Sequence, residues 1–289
     1  MKKERISYLN GQFLPHDKCL IHIEDRGFQF ADGVYEVTLF CNNQLIDGDL
    51  HIDRLFRSLK ELAIVHDFKA DDIKQIQLQL FAKNNIDKGF CYLNITRGNH
   101  SRVQNQPVAT PTINASVKPV KDEELATIKI MSVEDIRWLR CDIKSVALSA
   151  ASMLKQRAID NGFDDVVMIR NDIITEASFA NIFMVDNKGN IITKKCDNLI
   201  LCGITRNRII KLAQSRDIKV LQQDFTISQL KEAQEVFLTS STLLVRAVTQ
   251  IDNQIINNGK IGKITKDLFN DYKNFISCVE SCQLPSSIL

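Results

Sequence analysis

Residues 133–145 read Val-Glu-Asp-Ile-Arg-Trp-Leu-Arg-Cys-Asp-Ile-Lys-Ser, a run with one lysine, Lys144, near its end. A strand over 127–133 leads into the run, and a helix over about 146–161, rich in Ala and Ser and stopped near Gly162, follows it. Lys144 therefore stands at a strand-to-helix junction. A lysine partly desolvated there has a lowered pKa and an amine free for Schiff-base formation, whereas one facing water is an ordinary surface lysine. The run taken alone leaves both readings open.

Toward the N terminus, 6–9 and 13–14 are strands around the hairpin turn Asn10-Gly11, and 34–41 with 44–46 form a second hairpin around Asn42-Asn43. Asp49 is the expected cap of a helix whose apolar residues Ile52, Leu55, Phe56, Leu59, Leu62 and Ala63 recur at helical spacing. A second helix covers about 71–84. Strands at 90–96 and 112–117 enclose a polar loop, 97–111, with residues able to reach a ligand. Pro119 and the charges that follow mark a linker over 119–124, dividing a smaller domain (1–118) from a larger one (125–289). Beyond the run lies an expected meander through 166–169, 173–175, 179–185 and 191–193. A helix opening at Gly203-Ile204-Thr205, a strand at 218–221, a helix near Ser228, strands at 235–239 and near Gln250, and a closing helix over 263–279 complete an α+β pattern.

The 289 residues suffice for one large or two small domains, and Lys+Arg 37 against Asp+Glu 35 leaves a formal charge of +2. With 44% hydrophobic and 25% charged residues, disorder and a charge-driven nucleic-acid binder are excluded. There is no apolar run of membrane-spanning length, and Met1-Lys2-Lys3 leads into Glu4-Arg5 rather than an apolar leader, so a cytoplasmic location is expected. The eight cysteines are scattered without a CxxC pair, which favours reduced thiols. Cys278 and Cys282, four apart on the closing helix, lack the further ligands that a metal needs, so no metal is expected. All five histidines fall within the first 100 residues, so a base further along the chain is a carboxylate, lysine or tyrosine.

Other residues carry chemistry in this frame. Gly203-Ile204-Thr205-Arg206 opens a helix, where free amides and the positive dipole end suit a phosphate; the same residues also describe a plain helix cap. Thr239-Ser240-Ser241-Thr242 ends a strand with four hydroxyls. Glu176 lies in an apolar stretch and, if buried, needs a charged or hydrogen-bonded partner, for which a protonated heterocyclic nitrogen would serve. Arg54 can meet a phosphate with two parallel hydrogen bonds or simply face solvent.

These residues, together with the runs 24–37, 51–55, 133–145 and 201–206, resemble in chain order the fold-type-IV pyridoxal-phosphate enzymes, and among them the D-amino-acid (D-alanine) aminotransferases. The resemblance implies a small N-terminal α/β domain, a larger barrel-like C-terminal domain with helices, a homodimer, and an active site formed between the domains at the dimer interface. It makes Lys144 the amine that joins the cofactor aldehyde and shuttles the substrate proton, and Glu176 the partner of the pyridine nitrogen. Arg54, Ile204, Thr205, Ser240 and Ser241 correspond to the phosphate cradle, and Leu201 to the residue packed on the ring. The D-specific members grip the substrate carboxylate with a tyrosine and an Arg-x-His pair. Here the tyrosine is Tyr35 and the pair is Arg102 with Gln104, which supplies a hydrogen bond but no charge. A weaker or relocated carboxylate grip is therefore expected, with His100 or Arg246 as further candidates. The implied reaction passes the amino group of a D-alanine-like amino acid to 2-oxoglutarate. Aminodeoxychorismate lyases and branched-chain L-aminotransferases share the fold and lack the Arg-x-His pair, so they remain alternatives, as does a cofactor-binding protein without turnover.

Overall fold

A computed structural model describes residues 5–121 and 124–279. The chain divides into two compact units, Met1–Asp122 with Ile143–Ala147, and Glu123–Asp142 with Leu148–Leu289.

The first unit contains β1 (Ile6–Leu9), β2 (Gln12–Pro15), α1 (Arg26–Phe30), β3 (Gly33–Cys41), β4 (Gln44–Leu45), α2 (Gly48–Glu61), α3 (Ala70–Asn84), β5 (Lys88–Thr96) and β6 (Thr112–Pro119). Its sheet runs β2-β1-β6-β5-β3-β4, antiparallel throughout. Alternation along the strands turns Leu93, Ile95, Ala115 and Val117 toward α2 and α3, where they meet Leu55, Leu59, Ile73, Leu80 and Phe81 in one core. Phe40 stacks on Phe81 with ring centres 4.0 Å apart. Asp49 is not the cap of α2. The helix begins at Gly48 behind Asp47, and Asp49 instead pairs with Lys74 Nζ at 2.5 Å, a partner from α3 that local sequence does not reveal.

The second unit contains β7 (Thr127–Glu134), α4 (Ser149–Asp160), β8 (Asp165–Arg170), β9 (Ile173–Ala177), β10 (Asn181–Val185), β11 (Ile191–Thr193), α5 (Ile204–Gln214), β12 (Val220–Gln222), α6 (Ile227–Lys231), β13 (Glu235–Ser240), β14 (Leu244–Ile251), β15 (Gln254–Ile255) and α7 (Lys263–Val279). The sheet order is β12-β11-β10-β13-β14-β7-β8-β9, with β15 on β14. The expected meander is interrupted: β8 pairs with β9 and β10 with β11, but β13 takes the place beside β10. Only Ser178–Ala180 separate β9, last in the order, from β10 near the other end, so the sheet must curl into a half-barrel. Ile130, Val167, Ile182, Val236, Leu238 and Val248 fill its inside.

Two further expectations are corrected. The helix after Lys144 starts at Ser149 rather than near Val146, because residues 144–146 are hydrogen-bonded alongside β3: Tyr35 N donates to Lys144 O (2.9 Å) and Val146 N to Gly33 O (3.0 Å). Cys196 and Cys202 are joined in a disulfide, their Cα atoms 5.5 Å apart, since the loop before α5 doubles back on itself. Cys19, Cys41, Cys91 and Cys141 are not in disulfides. The Cys278/Cys282 pair lies outside the residues whose side chains are described. No metal-holding cluster occurs among the described residues, and none of their helices is long and apolar enough to cross a membrane.

Candidate active site

In the first unit the functional side chains gather where the Lys144 segment joins β3. This segment occupies the edge of β3 that the short β4, paired only at Phe40 and Cys41, leaves open. Lys144 is half-buried, with Nζ 4.1 Å from the centre of the Tyr35 ring. Its backbone N donates to Ser58 Oγ at 3.3 Å. Ser58 shares one face of α2 with His51 and Arg54, at the i, i+3, i+7 spacing that aligns side chains along a helix. That face meets Glu36, the neighbour of Tyr35 on the opposite side of β3. Arg54 donates to Glu36 through Nε (2.7 Å) and Nη2 (2.9 Å), and His51 through Nδ1 (2.7 Å). Burial alone would raise the Glu36 pKa, but Arg54 and His51 outweigh it and hold the carboxyl well below the usual carboxylate range. Arg54, expected at a phosphate, is thus fixed in direction by a carboxylate that the sequence reading had not singled out.

The other first-unit candidates lie on the loop between β5 and β6. Arg102 and Gln104 are exposed, and the Arg102 guanidinium sits 4.8 Å from the centre of the Phe30 ring. His100 turns its Nδ1 to its neighbour Ser101.

In the second unit Glu176 is buried at the end of β9. Arg137 Nη1 donates to its Oε1 (2.5 Å), Asn181 Nδ2 to its Oε2 (3.1 Å), and Leu201 N approaches both oxygens (3.2 and 3.3 Å). Arg137 also serves Asp135 through Nε and Nη2. With one guanidinium divided between two acids, burial prevails at Glu176 and its pKa is raised. Asn181 continues the chain of contacts, donating to Leu201 O at 2.8 Å. Two residues on, Gly203 caps α5 with no side chain of its own, and a Cβ there would stand 2.2 Å from Asn181 Oδ1. Glycine is required so that the start of α5 can come this close to the residue holding Glu176.

The first amides of α5, those of Ile204 and Thr205, thus lie at the end of a connected path from the carboxylate, without a side-chain cap. Thr239 on β13 is the strand partner of Asn181, which brings the Ser240-Ser241 turn alongside; Ser240 Oγ accepts from Leu243 N at 3.1 Å. Thr239 Oγ1, Ser178 Oγ and Arg206 Nε are buried without a hydrogen-bond partner. Burial brings the Arg206 pKa down to about 10 against the opposing pull of Glu176. Arg246 is engaged elsewhere, donating to the carbonyls of Leu243 and Val245 (3.0 and 3.2 Å).

This set suits a ligand with a phosphate at one end and a basic ring nitrogen at the other. Uncapped amides and orphaned hydroxyl groups match the phosphate, and a buried carboxylate with raised pKa gains most from a cation at the nitrogen. Sequence reasoning missed Glu36, His51, Arg137 and Asn181. The signal for Glu36 was available: an acid inside the apolar run Val34-Tyr35-Glu36-Val37-Thr38-Leu39-Phe40 needs partners as Glu176 does.

Comparison with known proteins agrees with this chemistry. Residues 33–251 match the profile of the family described as amino-transferase class IV. A D-alanine aminotransferase of Listeria monocytogenes is 36% identical over 95% of this chain and 96% of its own length. Among solved structures, the branched-chain amino acid aminotransferase of Escherichia coli superposes with a TM-score of 0.88 at 20% identity, covering 95% of this chain and 95% of that one. A putative 4-amino-4-deoxychorismate lyase from Legionella pneumophila gives 0.81 at 25% identity, covering 90% and 97%. The family match covers most of the chain, and the relatives match it over nearly their whole length: the chain belongs to the class IV aminotransferases and is a pyridoxal-phosphate-dependent transaminase of fold type IV.

Proposed function

We propose that the chain is a D-amino-acid transaminase, passing the amino group of D-alanine or a similar D-amino acid to 2-oxoglutarate and yielding pyruvate and D-glutamate. The observation that carries this reading is the likeness, over nearly the whole chain, to a relative named D-alanine aminotransferase. Bound pyridoxal phosphate supplies an electron sink for the pair released when the substrate Cα–H bond breaks, and carries nitrogen between the two half-reactions.

The chain's own residues do the rest. Lys144 Nζ binds the cofactor aldehyde and, once released, takes the α-proton and returns it. Glu176 keeps a proton on the ring nitrogen, and Arg137, Asn181 and the Leu201 amide hold the carboxylate in place for that task. The Ile204 and Thr205 amides, Ser240, Ser241 and Arg54 bind the phosphate, Arg54 being oriented by Glu36 and Leu201 packing on the ring. Tyr35, Arg102 and Gln104 receive the substrate carboxylate. Arg102 makes no hydrogen bond or ion pair among the described residues, so its N–H groups are available for two parallel bonds to a carboxylate. The working form is a homodimer, supported by Leu20, Ile23 and Phe28, which are 76%, 77% and 80% exposed on the first unit.

Gln104 favours a second reading, a lyase or branched-chain L-aminotransferase on the same scaffold, because it lacks the charge expected beside Arg102. The visible spectrum of the cofactor-loaded protein separates them. Bleaching by D-alanine, reversed by 2-oxoglutarate and absent with L-alanine or L-leucine, is the expected result. Bleaching by the L-amino acids alone, or release of pyruvate from aminodeoxychorismate without bleaching by D-alanine, would overturn it.

A further inference from the structure

The loop between β5 and β6 is firmly fastened at its base. Arg97 donates to Asp32 through Nε (2.7 Å) and Nη2 (3.0 Å) and to the carbonyls of Leu62 and Ala63. Gly98 adopts φ +96°, and a Cβ there would collide with Thr110 O at 1.9 Å, so the two ends of the loop touch. Beyond this base the residues are largely exposed, and an exposed loop tip left to itself samples many directions.

The short helix α1 supplies a second fastening, nearer the tip. Arg26 is buried; its Nε donates to Asp32 (2.9 Å), and its Nη1 reaches Val103 O (2.8 Å), the carbonyl between Arg102 and Gln104. The Arg26 guanidinium also lies 4.5 Å from the centre of the Phe30 ring, the same ring that Arg102 contacts at 4.8 Å. Asp32 thus anchors both Arg26 and Arg97, Arg26 grips the backbone beside Arg102, and Phe30 provides an aromatic surface for the Arg102 side chain.

We infer that Arg26 and Phe30 are positioning residues for substrate binding: they fix the direction of the Arg102 guanidinium and so set how strongly the enzyme grips the α-carboxylate shared by its amino-acid and 2-oxo-acid substrates. This rests on the proposed role of Arg102. Neither residue need touch substrate. Their effect falls on KM for both substrates and leaves cofactor binding and the maximal rate alone.

The test is a double-mutant cycle in the cofactor-loaded enzyme, reading KM and kcat for D-alanine and 2-oxoglutarate together with the visible cofactor band. Phe30→Leu is expected to raise both KM values about two- to fivefold with kcat and the band unchanged, the size of an exposed cation–ring contact. Phe30→Trp restores them, and Arg26→Lys, which keeps a charge beside Asp32 but loses the reach to Val103 O, raises them about tenfold. In an Arg102→Ala background Phe30→Leu has no further effect, whereas a merely structural role would act equally in both backgrounds. If Arg102→Ala raises KM but Phe30→Leu and Arg26→Lys do not, or if their effects add to it in full, the inference is overturned and the reading of Arg102 stands. If Arg102→Ala leaves KM unchanged, the role of Arg102 fails first, and the inference with it.

Discussion

Glu36 on β3 and Glu176 on β9 are both buried carboxylates with an arginine in hydrogen-bond contact, yet their surroundings drive them in opposite directions. Glu36 takes two parallel bonds from Arg54 and a third from His51, and its pKa falls far below the usual range. Glu176 shares Arg137 with Asp135 and otherwise, among the described residues, has only the neutral donors Asn181 and Leu201 N, and its pKa rises. The difference separates a charge that is completed within the protein from one that gains by meeting a further cation. Glu36 holds Arg54 in place. Glu176 is left to gain from a further cation, the part given to a protonated ring nitrogen in the proposed function.

The largest expected effect comes from the amine beside Tyr35. Lys144→Ala should eliminate turnover and the visible band of the protein-bound cofactor, as absorbance and a coupled pyruvate assay would report. Retained transamination would assign the chemistry to another lysine. Glu36→Gln comes next and breaks the first half of the comparison: leaving Arg54 and His51 buried with one charge removed should cost about 3–5 kcal/mol of stability at pH 7. Because the folded pKa of Glu36 is depressed, its contribution is present above the unfolded value of about 4.3 and fades as pH falls below it, so the deficit measured by urea unfolding should narrow in acid.

Glu176→Gln addresses the other half. It should slow the D-alanine half-reaction about a hundredfold in stopped-flow absorbance while the phosphate contacts keep the cofactor bound. In the cofactor-free protein the same change should alter stability by no more than about 1 kcal/mol, since a raised folded pKa means that the ionised wild-type group opposes folding and that stability recovers as pH falls. A large loss at pH 7 would show that Glu176 is as structural as Glu36. Smaller than that hundredfold kinetic effect is the contribution of Cys196–Cys202, which closes a short ring just before α5: reduction should cost about 2 kcal/mol and lower hydrogen-exchange protection at the start of α5 without changing it in α2 or β3.

Much of this arrangement is readable in the sequence. Local periodicity placed α2, α3, α5, α7 and most strands, because their apolar spacing is set by neighbours in the chain. The route of the half-barrel was not readable: β13 enters beside β10 through pairing between residues fifty or more positions apart, as with Asn181 and Thr239. The helix α1, of only five residues, is too short to display a period. Lys144 and Glu176, each also readable alone as an ordinary surface residue, are singled out by the family resemblance rather than by local pattern. Glu36 escaped notice because its partners follow 15 and 18 residues later, and a disulfide depends on a loop geometry that cysteine spacing does not encode.

The comparison of the two carboxylates is tested most directly by nitrogen-15 NMR of the protein reconstituted with ring-labelled pyridoxal phosphate at neutral pH. A protonated ring nitrogen is expected in the wild type and in Glu36→Gln, and an unprotonated one in Glu176→Gln. A nitrogen that is unprotonated in the wild type, or that stays protonated without the Glu176 carboxylate, would contradict it.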